Sequence, residues 1–227
     1  MDYVIAAFRL FVAFLALMGT KDILLTGDLD GLVYFTNQSG LALAVVMVWG
    51  ALSSLGLVRR PPAWFKGAVV LFLVITALVS LVVLEPEAAD APALVLGLTS
   101  GTIEHELNPA LAVLDFLLLD AHRRLRWRTA ALWLLYLVAY ATFTTIRAEV
   151  LATPHYPYGF VDVGELGWGG FALNIAMYGL GFYVLGLLVV AVDRSMPGRA
   201  LVGSGGRPER PATNDAHEPA SSGTSGS

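Results

Sequence analysis

The chain has 227 residues, of which 56% are hydrophobic and 14% charged, with a mean hydropathy of +0.69 and a net charge of -4. A soluble chain averages roughly 25% charged residues, so this composition excludes a disordered chain, an ordinary cytosolic enzyme and a polyanion binder. The absence of cysteine excludes a disulfide framework, a thiolate zinc site and a Cys nucleophile.

A bilayer span takes about 20 mostly apolar residues. Six segments qualify in chain order: 3–19, 34–58, 67–84, 103–119, 129–147 and 171–192. Each is apolar most of the way round, whereas barrel strands would alternate in short segments. The expected fold is therefore all-α, a single six-helix transmembrane bundle over residues 1–194. The first segment reads as a retained helix rather than a signal peptide. Its start carries no positive charge, Arg9 interrupts it, and no small-x-small cleavage site follows. Residues 195–227, rich in Gly, Ser, Pro and charge, are expected to form a disordered tail. Residues 151–170 hold Pro154, His155, Tyr156, Pro157, Tyr158, Phe160 and Trp168 among glycines, which suits an ordered interfacial cap.

Loop charges orient the bundle. Arg59, Arg60 and Lys66 lie between spans two and three, and Arg123, Arg124, Arg126 and Arg128 between four and five; Arg194 and Arg199 follow span six. The alternate loops hold Asp22, Asp28, Asp30, Glu85, Glu87, Asp90, Glu149, Asp162 and Glu165 against only Lys21 and Arg147. The positive-inside rule then places both termini in the cytoplasm of a multi-pass cell-membrane protein.

Ionisable groups within spans are costly and mark candidate sites. Arg9 and Asp115 lie roughly 15 and 18 Å below the outer ends of spans one and four, at 1.5 Å per residue. Matching depths predict a buried ion pair between them. It reads either as a lock between helices or as part of a proton or ion pathway.

Span two opens with Tyr34-Phe35-Thr36-Asn37-Gln38-Ser39. Thr36 suits an N-cap. The same geometry suits a nucleophile, because unpaired N–H groups at a helix start favour a developing oxyanion. A Thr hydroxyl is inert at neutral pH without a base.

Span four opens with Glu104-His105-Glu106-Leu107-Asn108-Pro109. At 100° per residue Glu104, Asn108 and Asp115 fall within about 40°, with His105 at the border. Pro109 gives no N–H to the carbonyl of His105, so the helix is expected to loosen there. A zincin HExxH reading fails because position 109 is Pro, and no metal site is expected. His105 reads as an interfacial histidine bonded to a loop or as the missing base. Span five places Tyr136, Tyr140, Thr144 and Arg147 on one face, and span six offers Asn174 and Tyr178. Interhelical hydrogen bonding accounts for these residues. Arg147, level with Thr36 and His105, also suits a carboxylate or headgroup.

These motifs, with His155-Tyr156-Pro157-Tyr158-Gly159-Phe160-Val161-Asp162 before the last helix, resemble the androgen-induced-protein family. The likeness is greatest to its bacterial six-helix branch and covers nearly all of residues 1–194. The resemblance implies an intramembrane threonine hydrolase, since animal members cleave fatty acid esters of hydroxy fatty acids. Their nucleophile falls on Thr36 and their essential histidine on His105, with the following Pro at a slightly different spacing.

The expected chemistry is acyl-ester hydrolysis at the outer leaflet without a cofactor. Thr36 attacks and His105 relays the proton, while Asn37, Gln38 and Asn108 hold the oxyanion. Glu104 or Asn108 orients the imidazole. Arg147, Tyr140, Tyr156, Tyr158 and Asn174 contact a membrane lipid or lipid ester, with the 156–160 loop as lid; nucleic acid is excluded as a partner. The rivals are a non-enzymatic membrane protein and a small carrier coupled through Arg9 and Asp115.

Overall fold

Glycine and proline set where the apolar runs start and stop. In the computed structural model, which describes residues 1–27, 29–84, 87–88, 90–151 and 155–204, those runs are helices. No β-strand forms among the described residues. Asp28, Glu85, Pro154 and the tail from residue 205 lie outside the described residues. The order is α1 (Asp2–Gly19), a short α2 (Lys21–Thr26), a 3₁₀ turn Leu29–Val33, α3 (Phe35–Ser54) and α4 (Ala63–Val82). A one-turn α5 (Ser100–Thr102), a π-helical turn Ile103–Leu107 and α6 (Asn108–Leu119) follow. After them come α7 (Arg128–Val150), a 3₁₀ turn Gly159–Val161 and α8 (Val163–Ser195). Five helices, α1, α3, α4, α7 and α8, are long and apolar enough to cross a membrane.

The fourth expected span is built differently. Its three helical pieces, 3, 5 and 12 residues long, follow one another without interruption. The Asn108 N–H reaches back five residues to the Ile103 carbonyl. This wide turn stands immediately before Pro109, where the regular ladder lacks a donor. Two other boundaries differ from the expected ones. Helix α3 stops at Ser54 because Gly56 turns left-handed at φ 74°. Gly56 N–H then reaches the Ser53 carbonyl and Leu57 N–H the Leu52 carbonyl, both at 3.0 Å, closing a Schellman motif. Helix α8 starts early, at Val163, because the Asp162 carboxylate caps it by accepting from Glu165 N–H at 3.1 Å. The later part of the expected cap loop is thus helical, with a break at Gly167 (φ 65°, ψ 165°).

Packing divides into two clusters. Val12, Ala16, Leu43, Met47, Leu73 and Ala112 join α1, α3, α4 and α6. Leu71, Phe72, Phe116, Trp133 and Val190 join α4 and α6 to α7 and α8. Gly67 permits the second junction, since a Cβ there would lie 2.8 Å from Trp133 Cζ2. Trp133 Nε1 also donates to the Trp64 carbonyl at 2.9 Å. Helix α4 is the most enclosed of the five long helices and α8 the least.

At one end of the bundle residues 202–204 meet the start of α1 and the end of α6: Val202 N–H donates to the Leu118 carbonyl at 2.9 Å and Ser204 N–H to Asp2 Oδ1 at 3.3 Å. The start of the expected disordered tail is therefore docked. At this same end four charges close on one another. Arg9 Nε donates to Asp115 Oδ1 at 2.7 Å, Nη1 to Ser54 Oγ and the Gly50 carbonyl, and Nη2 to Asp120 Oδ1 at 3.1 Å. Lys66 Nζ donates to Asp115 Oδ2 and, at 2.7 Å, to Asp120 Oδ1. Lys66, which the sequence places between spans two and three, is inside α4 and 4% exposed, because that helix begins at Ala63 just after Pro61 and Pro62. Ser54 ends α3 and Asp120 follows α6, so the buried Arg9–Asp115 pair is joined by partners that stand at helix ends.

Candidate functional site

The opposite end gathers the acidic loops and the start of α3. Tyr34, not Thr36, is the N-cap of α3, and its side chain makes no cap bond. Thr36 therefore lies inside the first turn, half-buried. The next two polar residues bind the turn that precedes the helix. Asn37 Nδ2 donates to the Gly31 carbonyl at 2.8 Å and Gln38 Nε2 to the Leu32 carbonyl at 2.6 Å. The Gln38 backbone N–H donates to the Tyr34 carbonyl at 3.3 Å. Gln38 is thus already engaged in the helix and does not serve an oxyanion. The first-turn donors of Phe35, Thr36 and Asn37 precede the regular ladder.

Thr36 stands at the wall between two cavities. One, of about 560 Å³, is lined by Thr20, Asp22, Thr36, Asn37, Glu104 and His105 among others. The second, of about 130 Å³, is almost wholly apolar and runs between α4, α7 and α8 past Val79, Leu134, Leu137, Ile175 and Phe182. Thr36, Leu84 and Tyr158 line both. The structure thus brings Thr36 and His105 to one cavity, yet no hydrogen bond joins them among the described residues.

Tyr158 occupies the start of α3 instead. Burial raises the phenol above its ordinary value, opposed by polar contacts with the Thr36 hydroxyl and with the backbone of Thr36 and Phe35. The backbone beside this phenol is that of Phe35 and Thr36, not the Asn37 and Gln38 donors that the sequence assigns to an oxyanion. The loop carrying Tyr158 is fixed from behind. Asn174 Nδ2 donates to the Phe160 carbonyl at 3.1 Å, and the Phe160 ring packs between Tyr158 (5.3 Å) and Tyr178 (4.7 Å). Tyr34 meets both the Tyr158 ring and His155, with the Tyr34 hydroxyl 3.4 Å from His155 Nε2.

Several other expected roles change. Glu104 and His105 are adjacent, and adjacent helix residues do not face each other. The Glu104 carboxylate lies against Gly19, where a Cβ would come within 3.0 Å of Oε1, and accepts from Ser100 Oγ at 3.4 Å. It does not orient the imidazole; the acids acting on His105 are Glu87 and Glu106. Asn108 is 1% exposed, its Oδ1 has no hydrogen-bond partner among the described residues, and it does not line the cavity. Neither an oxyanion nor an orienting role fits it. Arg147 Nη2 binds Asp30 Oδ1 at 2.9 Å, so the cation is spent on the loop before α3, although its buried Nη1 has no partner among the described residues.

The polar stripe of α7 works in the same way. Tyr136 donates to Gln38 Oε1 at 2.5 Å and Tyr140 to the Val33 carbonyl at 2.8 Å. Tyr136 thus makes the interhelical bond of the simpler sequence reading and Tyr140 bonds the 3₁₀ turn, whereas Thr144 donates only to the Tyr140 and Ala141 carbonyls of its own helix. Tyr156 donates to Glu149 Oε1 at 2.6 Å, away from both cavities.

Sequence reasoning missed Asp22, Thr20 and Leu84 as cavity walls, and Lys66 and Asp120 as partners of Arg9 and Asp115. Only for Lys66 was there a signal, since it follows Pro61-Pro62 within an apolar run. Among the described residues no cluster of His, Cys, Asp or Glu could hold a metal. Compared with known proteins, the chain matches no family model, no curated protein and no solved structure.

Proposed function

We propose that the protein is a six-span integral membrane protein, both termini cytoplasmic, that hydrolyses lipid esters near the outer leaflet through Thr36. One observation carries the reading: Thr36 stands where an apolar channel between helices meets a polar cavity holding His105. A lipid ester needs both environments at once, an apolar wall for the chain and a wetted, polar place for the carbonyl and leaving alcohol. The sequence resemblance to the androgen-induced-protein family points the same way. The fourth span is then the three-piece helix ending in α6, and the π turn is tolerated because it faces a cavity.

In this mechanism the Thr36 Oγ attacks the ester carbonyl and His105 takes its proton. The backbone N–H groups of Phe35 and Thr36 stabilise the oxyanion once Tyr158 has withdrawn. Collapse of the tetrahedral intermediate releases the alcohol with the proton from His105 and leaves an acyl-Thr36 ester. Water, deprotonated by His105, attacks that ester, frees the fatty acid and restores the Thr36 hydroxyl. Tyr158 is thus a cover that a substrate must lift, which narrows the lid from the whole loop to one side chain.

A non-catalytic reading has one observation in its favour, the Tyr158 contact with Thr36, which seals the helix start as a packing feature would. A carrier has less, since its coupling pair belongs to a closed, charge-neutral network. The test is a fluorophosphonate probe with a fatty-acyl p-nitrophenyl ester assay on the full chain in detergent. The hydrolase predicts labelling and turnover in wild type, both lost in Thr36→Ala. Folded wild-type protein that neither labels nor turns over overturns the reading.

A further inference from the structure

The two cavities that meet at Thr36 differ in kind, and each suits a different half of an ester. In the apolar one the polar members turn away to backbone carbonyls. Thr76 Oγ1 donates to Phe72 at 3.0 Å, Tyr140 to Val33 at 2.8 Å and Asn174 Nδ2 to Phe160 at 3.1 Å. The other cavity holds the acids Asp22 and Glu104 with the Asn37 amide, and none of its lining residues is Lys or Arg. The charges acting on Glu104 are Asp22 and Glu87, and those acting on His105 are Glu87 and Glu106, all negative. Nearby cations do not offset them: Arg147 is held by Asp30 at 2.9 Å, and Lys21, next to Asp22, does not line the cavity. Asp22 is exposed and Glu104 half-buried, so this cavity runs from Thr36 out to the protein surface.

A fatty acyl chain gains most against apolar walls, so the acyl half of the ester belongs in the first cavity. The alcohol half then falls on the acidic side, where the lining discriminates by charge. An alcohol bearing a carboxylate would meet Asp22 and Glu104 with no cation to offset them, and like charges brought together are a strong means of rejecting a ligand. An ammonium would be attracted, but it would oppose the imidazolium that forms when His105 takes the Thr36 proton. Hydroxyl groups meet both requirements. They carry no charge, and they donate to carboxylate and amide oxygens.

We propose that the preferred substrate is a fatty acyl ester of a small uncharged polyol, its acyl chain between α4, α7 and α8 and its free hydroxyls on Asp22 and Glu104. This rests on the hydrolase reading and narrows it. The bond from Thr36 Oγ to the acyl carbon forms as the bond from that carbon to the polyol oxygen breaks. The polyol leaves with the proton held by His105, and one water then releases the fatty acid. Asp22 and Glu104 touch only the leaving half, so they select the alcohol.

The test compares monooleoylglycerol, oleoylcholine and the oleoyl ester of a hydroxystearic acid, which share one acyl group, by kcat/KM on the full chain in detergent. The oleoyl p-nitrophenyl ester scores the chemistry itself. Wild type is expected to prefer the glycerol ester to the hydroxy-acid ester by about tenfold or more, with the choline ester also below it. Asp22→Lys puts a cation at an exposed position of the cavity wall. It is expected to shift the ratio of glycerol ester to hydroxy-acid ester about fivefold toward the latter. The control Asp90→Lys makes the same change of charge on the connection between α4 and α5, outside the cavity lining, and leaves that ratio unchanged. Equal or greater kcat/KM on the hydroxy-acid or choline ester overturns the proposal, as does the same ratio in the two variants. In either case Thr36-dependent turnover of the p-nitrophenyl ester leaves the hydrolase reading standing. No turnover of any of these esters by folded wild type overturns both.

Discussion

The two ends of the bundle treat polar groups in opposite ways. In the Arg9, Lys66, Asp115 and Asp120 network every charge faces an opposite one, Asp115 is wholly buried, and spare donors reach Ser54 and backbone carbonyls. At the start of α3 polar groups share a cavity without forming one closed network: Thr36, Glu104 and His105 line it, and the His105 side chain makes no hydrogen bond among the described residues. A buried network with every partner in place holds helices together and has nothing left to offer a ligand. Polar groups that line a cavity unsatisfied keep their capacity for one. Charge marks both places in the sequence; only the state of satisfaction separates scaffold from candidate site.

That contrast breaks most visibly at Thr36. Thr36→Ala is expected to lower ester turnover by about 10³-fold or more while leaving thermal unfolding in detergent unchanged. A large loss of stability with unchanged turnover would reverse the roles of the two ends. Asp115→Ala should do the opposite. It leaves Arg9 and Lys66 to share Asp120 alone and is expected to cost about 3–5 kcal/mol, read by thermal unfolding, with turnover per folded molecule retained. Gly67→Ala drives a methyl group into Trp133 and Leu125 and is expected to cost about 1–3 kcal/mol, again without a change in turnover.

Gly19→Ala sharpens the comparison from the other side. The new methyl meets the flexible Glu104 carboxylate rather than a packed ring, so turnover should change more than stability does. The smallest effect concerns His122, held 3.5 Å from Asp193 by Nδ1 and facing the Leu117 carbonyl by Nε2. Burial lowers its affinity for a proton, but Asp193, Leu117 and Asp120 outweigh it and raise the pKa above the ordinary value. Charged His122 therefore stabilises the fold fully below its unfolded pKa, and the gain is lost as pH rises through the folded one. Wild type should lose melting temperature as pH rises above the ordinary histidine value of about 6.5, and His122→Gln should flatten that slope.

Much of this organisation was legible in the sequence for identifiable reasons. Five of the six apolar runs each hold one long helix, since none of them contains a proline. The sixth carries Pro109, and the expected loosening is the π turn at Ile103–Leu107. Boundaries were less legible where a local motif outranked hydropathy, as at Gly56, which stopped α3 inside an apolar run, and Asp162, which started α8 ahead of one. At the candidate site, the sequence brought Thr36 and His105 to the same level but had no means of giving Tyr158 the place in front of Thr36. It also assigned Arg147 to a substrate, whereas Asp30, more than a hundred residues earlier, claims it.

Composition and periodicity by themselves determined the helices, their number to within one and the separation of acidic from basic connections. Those properties follow from the backbone's need for internal hydrogen bonds and from the local run of side chains. Which polar groups are spent and which stay available was decided only by tertiary structure. A hydrogen bond's partner is set by where helices far apart in sequence bring their side chains, as when α4 delivers Lys66 to Asp115 and the loop before α8 delivers Tyr158 to Thr36.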